Sequence, residues 1–190
     1  WASVRIVAGA LKGRRVDAPT WSGIRPTSDR VRETLFELLG YHVEGARFLD
    51  ACAGTGAVGI EALSRGSAQA VFVDCDRRAT DLVERNLTRC KVSDRAVVLW
   101  ATLPEGVERS ELAQPFDVIV ADPPYGDPRI GAILSALVSR LAKAGTLVLE
   151  RTKNTPAPDV PGLSVVRTVK SGDTVLDFFR HEMADRNGTV

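Results

Sequence analysis

The sequence contains few cysteines and histidines. Its 190 residues include two histidines and three cysteines, Cys52, Cys75 and Cys90, and no pair of these cysteines has the C-x-x-C spacing. An odd number of cysteines without that spacing argues against both a disulfide framework and a metal site. We therefore expect no bound metal, and we expect a protein of the reducing cytoplasm.

Long hydrophobic runs are also missing. No apolar segment approaches the roughly 20 residues that a helix needs to cross a bilayer, and the N-terminal residues lack the pattern of a signal peptide. The sequence therefore predicts no membrane partner. A chain of 190 residues is long enough to form one domain of ordinary size with a full hydrophobic core.

Charge is distributed unevenly along the chain. The formal net charge is only +1, yet residues 1–32 contain seven basic and two acidic residues. A local basic patch on a nearly neutral protein predicts a polyanionic partner that docks at one place, whereas an ordinary solvated surface is the alternative. The basic residues of this segment, which we predict to bind the substrate, are Arg5, Lys12, Arg14, Arg15, Arg25, Arg30 and Arg32.

A glycine-rich turn organises the middle of the chain. Gly54, Gly56 and Gly59 have the G-x-G-x-x-G spacing between a short apolar run and a predicted helix, which is typical of nucleotide-binding turns. The spacing alone fits either a dinucleotide or S-adenosylmethionine. Asp50, at the end of the apolar run, would lie badly beside a pyrophosphate but well beside the cationic amine of S-adenosylmethionine. Asp74, which ends the next apolar run, can accept hydrogen bonds from the ribose hydroxyls of either cofactor.

The stretch Asp122-Pro123-Pro124-Tyr125 decides between these two cofactors. It follows the predicted buried strand Phe116–Ala121, and ligands bind at this edge of an open α/β sheet. The carboxylate of Asp122 and the carbonyl of Pro123 can accept both hydrogens of a planar exocyclic amine, while Tyr125 offers a face on which its ring can stack. This arrangement predicts methyl transfer to an amine. The alternative is a proline-rich loop with a chance tyrosine.

Predicted strands and helices alternate from residue 48 to residue 150, which indicates right-handed βαβ crossovers and a parallel sheet. Two further strands joined through Ser171–Asp173 predict an antiparallel C-terminal hairpin. The expected architecture is therefore α/β, with a mostly parallel seven-stranded sheet. A last helix before the hairpin is expected to bury Ile130, Ile133, Leu134, Leu137, Val138 and Leu141.

The first 40 residues are expected to form a small β-hairpin followed by a helix over Asp29–Leu39, capped by Thr27 or Ser28 and ended by Gly40. We divide the chain into this basic, substrate-side extension at 1–40, the main domain at 41–182 and a frayed tail at 183–190. The apolar face of the N-terminal helix is predicted to consist of Val31, Leu35, Leu38 and Leu39.

Four stretches of the chain, in order along nearly its whole length, resemble the RsmD family, the bacterial 16S ribosomal RNA guanine-N2 methyltransferases. The glycine turn and the Asp-Pro-Pro-Tyr loop are shared by many class I methyltransferases, whereas the Arg-Pro-Thr-Ser-Asp-Arg-Val-Arg-Glu run is much more particular to this family. The resemblance implies the Rossmann-like class I fold, S-adenosyl-L-methionine as cofactor, and a guanine amine of 16S rRNA, in an assembling small ribosomal subunit, as acceptor. The stretches are Arg5–Gly9, Arg25–Phe36, Leu49–Gly56 and Asp122–Tyr125.

The resemblance also implies roles for single residues. Asp50 would meet the methionine amine, Asp74 the ribose, Asp122 and Pro123 the guanine amine, and Tyr125 the flipped base. The implied catalytic residues are Asp122, Pro123, Pro124 and Tyr125. The implied cofactor-binding residues are Asp50, Ala51, Cys52, Ala53, Gly54, Thr55, Gly56, Asp74, Cys75, Ala101 and Asp122.

The chain departs from related enzymes at Trp100 and Ala101, where they often carry Asn or Asp for the adenine edge. This departure leaves the recognition of adenine open, and a position in the hydrophobic core is the alternative reading of Trp100.

These residues predict direct in-line methyl transfer that depends on positioning rather than on a covalent enzyme intermediate. Cys52 and Cys75 are expected beside the cofactor, where neither could attack a base. Two other functions remain open: an amine methyltransferase acting on DNA, at adenine N6 or cytosine N4, or on a protein glutamine; and a non-catalytic RNA-binding module. We expect the chain to act as a monomer.

Overall fold

The computed structural model of the chain describes residues 3–22 and 27–183. Arg25 and most of the predicted tail lie outside these residues. The strands are β1 (Ser3–Arg5), β2 (Arg15–Asp17), β3 (Arg47–Asp50), β4 (Gln69–Asp74), β5 (Ala96–Trp100), β6 (Phe116–Ala121), β7 (Leu141–Thr152), β8 (Leu163–Ser171) and β9 (Thr174–His181). The α-helices are α1 (Asp29–Leu39), α2 (Ala57–Ser64), α3 (Arg77–Cys90) and α4 (Ile130–Val138), and short 3-10 helices cover Gly40–Val43, Ser93–Arg95, Glu105–Glu108 and Ser110–Leu112.

A seven-stranded sheet forms the centre of the molecule, in the order β5-β4-β3-β6-β7-β9-β8. The first five of these strands are parallel, and β9 runs antiparallel between β7 and β8. This is the mostly parallel sheet with an antiparallel C-terminal hairpin that the sequence predicts. The order reverses direction at β3, so the carboxyl ends of β3 and β6 flank the point at which open α/β sheets bind ligands.

Alternate residues of the central strands point to opposite faces of the sheet. On one face, Phe48 and Phe72 share a hydrophobic cluster with α1, α2 and α3. On the other face, Leu49 and Val71 share a second cluster with α4 and the two 3-10 helices before β6. Within the described ranges, no helix has the length and apolar character that a membrane span requires.

The N-terminal hairpin packs on the main domain rather than standing apart. The carboxylate of Glu61, completely buried on α2, accepts hydrogen bonds from the backbone N–H groups of Val7 and Ala8 at 2.8 and 2.9 Å. Asn86 on α3 accepts a hydrogen bond from the Asp17 N–H at 2.8 Å and donates to the carbonyls of Asp17 and Thr55. Buried side chains of β1, β2 and α1 belong to the same hydrophobic cluster as β3 and α2. The hairpin thus gains from the main domain the stability that two short strands lack alone.

Helix α1 begins and ends where the sequence predicts. The hydroxyl oxygen of Ser28 accepts a hydrogen bond from the Val31 N–H at 3.2 Å, and Gly40, with φ of 54°, ends the helix. Its predicted apolar face is partly wrong, because Arg32 and Phe36 are buried on it and Leu38 is only half-buried.

Helix α4 ends earlier than predicted. Leu141 is buried as expected, but it begins β7 instead of continuing the helix. The carbonyl of Arg140 accepts a hydrogen bond from the Phe116 N–H at 2.8 Å, so the chain pairs with the start of β6 directly after the helix. Leu141 pairs with Phe116 while Thr146 pairs with Val118, so β7 carries an irregularity between its two halves.

Candidate active site

A cavity of about 470 Å³ lies at the carboxyl ends of the parallel strands. Its wall comes from the segment before α1, the glycine turn after β3, the end of β4, the residues after β5, the loop after β6 and the end of β7. The volume is within the range of about 300–1,000 Å³ that is usual for small-molecule sites. Among the predicted cofactor-binding residues, those that line it are Asp50, Ala51, Cys52, Ala53, Gly54, Thr55, Asp74, Cys75, Ala101 and Asp122.

Gly56 supports the glycine turn without lining the cavity. Its φ of 78° lies in the left-handed region that favours glycine, and it is the N-cap residue of α2. Gly59, one turn later, allows α2 to lie close to the sheet, because a Cβ atom there would come within 2.2 Å of the Phe72 ring. Both glycines therefore determine the conformation and packing of the turn without lining the cavity.

Two backbone amides, one of the turn and one of the first turn of α2, donate to acidic side chains of the protein itself. Asp50 accepts a hydrogen bond at Oδ2 from the Gly59 N–H at 3.0 Å, and Asp74 accepts one at Oδ2 from the Gly54 N–H at 2.9 Å. A dinucleotide site needs such amides for its pyrophosphate. Because carboxyl groups occupy them here, the turn favours S-adenosylmethionine.

Burial sets the charge state of Asp50. It raises the pKa of this carboxyl to about 7, with smaller contributions in the same direction from Asp74 and Glu150, whereas the bond from Gly59 acts in the opposite direction. A cation placed against a carboxyl favours its charged form. Asp50 therefore offers a buried anionic partner to an amine that enters the cavity.

Asp74 ends β4 and lines the cavity. Each of its oxygens accepts one backbone hydrogen bond, from Gly54 and from the Asp76 N–H at 2.9 Å. A carboxylate oxygen has more than one lone pair, so these bonds fix the side chain and leave it able to accept hydroxyl groups.

Trp100 is not a core residue. Its side chain is 56% exposed, and its indole N–H donates to the carbonyl of Cys75 at 3.0 Å. The guanidinium of Arg77 lies over its ring, 5.1 Å from the centroid. Trp100 thus supports the rim of the site, while its neighbours Ala101 and Thr102 line the cavity.

The Asp122–Tyr125 loop, which follows β6, forms part of the cavity wall. All four of its residues line the cavity, and the Tyr125 ring is half-exposed at the mouth. Burial raises the pKa of Asp122 well above its usual value, and the negative charges of Glu150 and Asp50 raise it further. The described residues contain no group of three His, Cys, Asp or Glu side chains that could hold a metal ion. The carboxyl groups of Asp50 and Asp122 can accept hydrogen bonds from a ligand and attract its cationic groups.

Cys52 is unsuited to nucleophilic attack. Burial, followed by the negative charge of Asp122, raises the pKa of its thiol. Because the thiolate is the reactive form of cysteine, this thiol stays inert at neutral pH. Cys52 is therefore not suited to form a covalent intermediate with a substrate.

Comparison with known proteins places this geometry in a family. The family described as Conserved hypothetical protein 95 matches residues 4–180. Ribosomal RNA small subunit methyltransferase D of Escherichia coli K12 is 32% identical over 185 residues, which cover 94% of this chain and 90% of that protein. The chain belongs to the RsmD family.

Solved structures agree with this assignment. The structure of yhhF from Escherichia coli is 30% identical, with a TM-score of 0.84, and the match covers 95% of this chain and 99% of that one. The precorrin-6y C5,15-methyltransferase of Geobacter metallireducens GS-15 is only 16% identical but has a TM-score of 0.65 over 86% of this chain and 92% of its own, so it shares the fold. The RsmD-family chain is therefore a class I methyltransferase in fold, and its cofactor is S-adenosyl-L-methionine.

The residues of the cavity fit this cofactor. Asp50 and Asp74 supply carboxyl oxygens that could accept hydrogen bonds from its amine and its ribose hydroxyls, and the small residues of the glycine turn leave room for it. When bound, S-adenosylmethionine supplies a methyl group activated by a positively charged sulfur. The individual roles of the RsmD-family residues remain predictions.

The predicted basic substrate-binding residues lie elsewhere. None of those within the described ranges lines the cavity, and five of them are exposed: Arg5, Lys12, Arg14, Arg15 and Arg30. Arg32 differs, because it is completely buried and donates to the carbonyls of Arg5 and Thr27 and to Asp29. Burial lowers the pKa of its guanidinium. The expectation that Arg32 meets a ligand is therefore wrong; it joins α1 to the hairpin.

Sequence reasoning missed part of the cavity wall. Glu150 ends an apolar strand at the same edge as Asp50 and Asp122, a signal that was available in the sequence. Thr27 and Trp21 come from the segment before α1, and only the folded structure brings them to the cavity. The other lining residues that were not predicted are Ser22, Ala57, Val58, Asp76, Arg78, Thr102, Leu103, Val120, Asp127, Arg129 and Ile133.

Proposed function

We propose that this chain transfers a methyl group from S-adenosyl-L-methionine to the exocyclic N2 amine of a guanine in the 16S rRNA of the small ribosomal subunit. The observation that carries the proposal is that the glycine turn and the Asp122–Tyr125 loop, which follow the neighbouring strands β3 and β6, line one cavity. A methyl donor held by the turn would thus lie near an amine held by the loop.

In the proposed chemistry the glycine turn holds the methyl donor and the Asp122–Tyr125 loop holds the amine. Asp122 and the carbonyl of Pro123 accept the hydrogens of the planar amine, which turns the nitrogen lone pair toward the methyl group. The N–C bond forms as the C–S bond breaks, and the proton lost from the amine passes to the Asp122 carboxylate or to water. Tyr125, half-exposed at the mouth of the cavity, stacks on the flipped base. Positioning supplies most of the catalysis.

The choice of substrate rests on family and charge. The relative in Escherichia coli bears the name of a small-subunit ribosomal RNA methyltransferase and shares most of its length with this chain. Lys12, Arg14 and Arg15 are exposed cations on the N-terminal hairpin, where they suit a phosphate backbone. A substrate in the assembling subunit would locate the reaction in the cytoplasm.

The test is transfer of labelled methyl from S-adenosylmethionine to small subunits from cells that lack this protein, beside naked 16S rRNA, total DNA and total protein. We expect label on the subunit RNA, released as N2-methylguanosine on digestion, and no label with the Asp122→Ala variant. Label found only on DNA or only on protein would overturn the proposed acceptor. A chain that binds the cofactor but labels nothing would be a binding module.

A further inference from the structure

Helix α3 carries a row of arginines on its surface. At about 100° per residue, Arg78, Arg85 and Arg89 fall within about 40° of one another around the helix axis, and all three are exposed. The acidic residues of the same helix, Asp81 and Glu84, lie about 60° and 120° from the centre of this arginine row. Positive charge is thus collected along one edge of α3.

The two ends of the arginine row adjoin the cavity and the N-terminal hairpin. Arg78 lines the cavity, and its side chain is 63% exposed, so this end lies at the mouth. At the other end, Nη1 of Arg14 lies 3.5 Å from the Arg89 carbonyl oxygen, and the Arg89 guanidinium forms an ion pair with Asp17 of β2. With a rise of about 1.5 Å per residue, the row extends about 16 Å along the helix. It therefore connects the basic hairpin to the mouth of the cavity.

Arg85, in the middle of the row, has no acidic partner. Arg78 forms an ion pair with Asp76 at 2.6 Å, and Arg89 is paired with the hairpin. Within the described ranges, the guanidinium of Arg85 forms no ion pair or hydrogen bond, not even with Asp81 four residues earlier. Arg85 and Arg89 are also four residues apart, a spacing at which like charges on a helix repel each other. An external anion at this point would relieve that repulsion.

The spacing of the arginine row fits a chain of phosphates rather than a single small anion. Cations that bind one small anion converge on it, whereas the row spreads its guanidinium groups over about 16 Å. A nucleic acid strand presents a phosphate at each nucleotide, so several of them can meet cations placed along a line. Guanidinium groups also match the geometry of phosphate with paired hydrogen bonds. The partner that fits the row is therefore the backbone of a nucleic acid strand.

We propose that the arginine row binds the phosphate backbone of the RNA strand that carries the methylated guanine, and leads this strand from the hairpin to the mouth of the cavity. The inference rests on the proposed function and assigns part of the path that its substrate takes. Arg85 contacts phosphate alone, while Arg78 and Arg89 keep their acidic partners. Asp76 accepts hydrogen bonds from Nε and Nη2 of Arg78, so Nη1 can still donate to a phosphate.

The test measures how the affinity for small ribosomal subunits depends on salt. Subunits from cells that lack this protein are titrated with the full chain at several salt concentrations, in the presence of S-adenosylhomocysteine, and kcat and KM for methyl transfer are measured beside this. The variants are Arg85→Ala, Arg85→Glu and Arg85→Lys. The matched controls are Arg167→Ala and Arg167→Glu, because Arg167 is an exposed arginine on β8, the strand at the opposite edge of the sheet from β5.

Arg85→Ala is expected to weaken subunit binding by about threefold to tenfold and to reduce the slope of log affinity against log salt by about 1, because one phosphate contact is lost. Arg85→Glu should weaken binding further, since it adds repulsion, and Arg85→Lys should keep the wild-type slope. The loss should appear in KM, with kcat and the affinity for S-adenosylhomocysteine within about twofold of wild type. Both Arg167 variants should behave as wild type.

Several results would overturn this role for the arginine row. Arg85→Glu with the affinity and salt slope of wild type would do so directly, and so would equal losses in the variants of Arg85 and Arg167, which would indicate a general effect of net charge. If circular dichroism shows that Arg85→Glu does not fold, Arg85→Ala decides, because alanine favours an exposed helix position. A loss of affinity seen with DNA but not with subunits would exclude RNA as the partner.

The same samples separate this inference from the proposed function. Wild type that methylates guanine N2 on the subunits, with variants of Arg85 that bind and react normally, would refute only the role of the arginine row. Wild type that methylates no guanine would refute the proposed function, and the RNA path along α3 with it.

Discussion

The buried carboxyl of Asp50 makes a quantitative prediction about cofactor binding. Burial raises its pKa to about 7, so it is protonated in most free molecules at pH 5.5 and ionised in most at pH 7.5. A cationic amine binds the ionised form, so the affinity should rise with pH. A single group with this pKa gives a gain of about 25-fold between the two pH values.

Isothermal titration calorimetry with S-adenosylhomocysteine measures this gain, since that product keeps the amine. Titrations at pH 5.5, 6.5 and 7.5, in buffers of different ionisation enthalpy, also count the protons released. Asp50→Asn should bind more weakly at pH 7.5 and lose most of the pH dependence. Asp122→Asn, which removes the other acid with a raised pKa, should keep it. A slope that survives in Asp50→Asn would show that Asp50 is not the partner of the amine.

The same shift has the opposite effect on folding. Because the pKa of Asp50 is raised in the folded state, its favourable contribution is complete below the unfolded value of 3.8 and is lost as pH rises through about 7. Relative to Asp50→Asn, wild type should lose up to about 4 kcal/mol of unfolding free energy between pH 4 and pH 8. Urea unfolding of both proteins across this range measures the difference, and parallel curves would contradict the assigned pKa.

Three further predictions follow from the site and the packing around it. Asp122→Ala should lower methyl transfer by at least about 100-fold while S-adenosylhomocysteine binds within about threefold of wild type, as radiolabel and calorimetric assays would record. Gly59→Ala should cost about 1–3 kcal/mol of unfolding free energy, measured by urea unfolding, because the added Cβ would come within 2.2 Å of an aromatic ring. The double variant Lys12→Ala, Arg15→Ala should weaken subunit binding and reduce the slope of log affinity against log salt by about 2 if each side chain contacts a phosphate.

Each of these variants has a matched control. The control for Asp122→Ala is Asp94→Ala. It removes an exposed acid that does not line the cavity, so it should transfer methyl normally. Gly131→Ala adds a Cβ to a helix where nothing lies within 4 Å, so it should stabilise the fold by about 0.5–1 kcal/mol. Lys143→Ala removes an exposed cation outside the hairpin and should leave the salt slope unchanged. Equal effects in a variant and its control would refute the corresponding prediction.

Local signals account for what the sequence predicts correctly. The glycine turn, the caps of α1 and the Ser171–Asp173 turn each depend on a few neighbouring residues, so their residue types reveal them. The order of the sheet follows because parallel crossovers leave few alternatives. The cavity follows in turn, since the ends of β3, β4 and β6 must meet at one edge.

The sequence fails to predict residues whose surroundings come from distant segments of the chain. Arg32 lies three and four residues before Leu35 and Phe36, so helical spacing places it on the buried face, yet its charge suggests a surface position. Only the folded chain supplies the carbonyls of Arg5 and Thr27 that accept hydrogen bonds from its guanidinium. Glu150 is likewise defined by its neighbours across the sheet rather than by its neighbours in the chain.

The central claim is the identity of the methylated atom, and nucleoside analysis of cells tests it most directly. Small-subunit RNA would be digested from cells that lack this protein and from the same cells supplied with wild type or with Asp122→Ala, and the nucleosides would be measured by mass spectrometry. We predict that one N2-methylguanosine per subunit is absent without the protein, returns with wild type and stays absent with Asp122→Ala. An unchanged amount of N2-methylguanosine in all three samples would contradict the account.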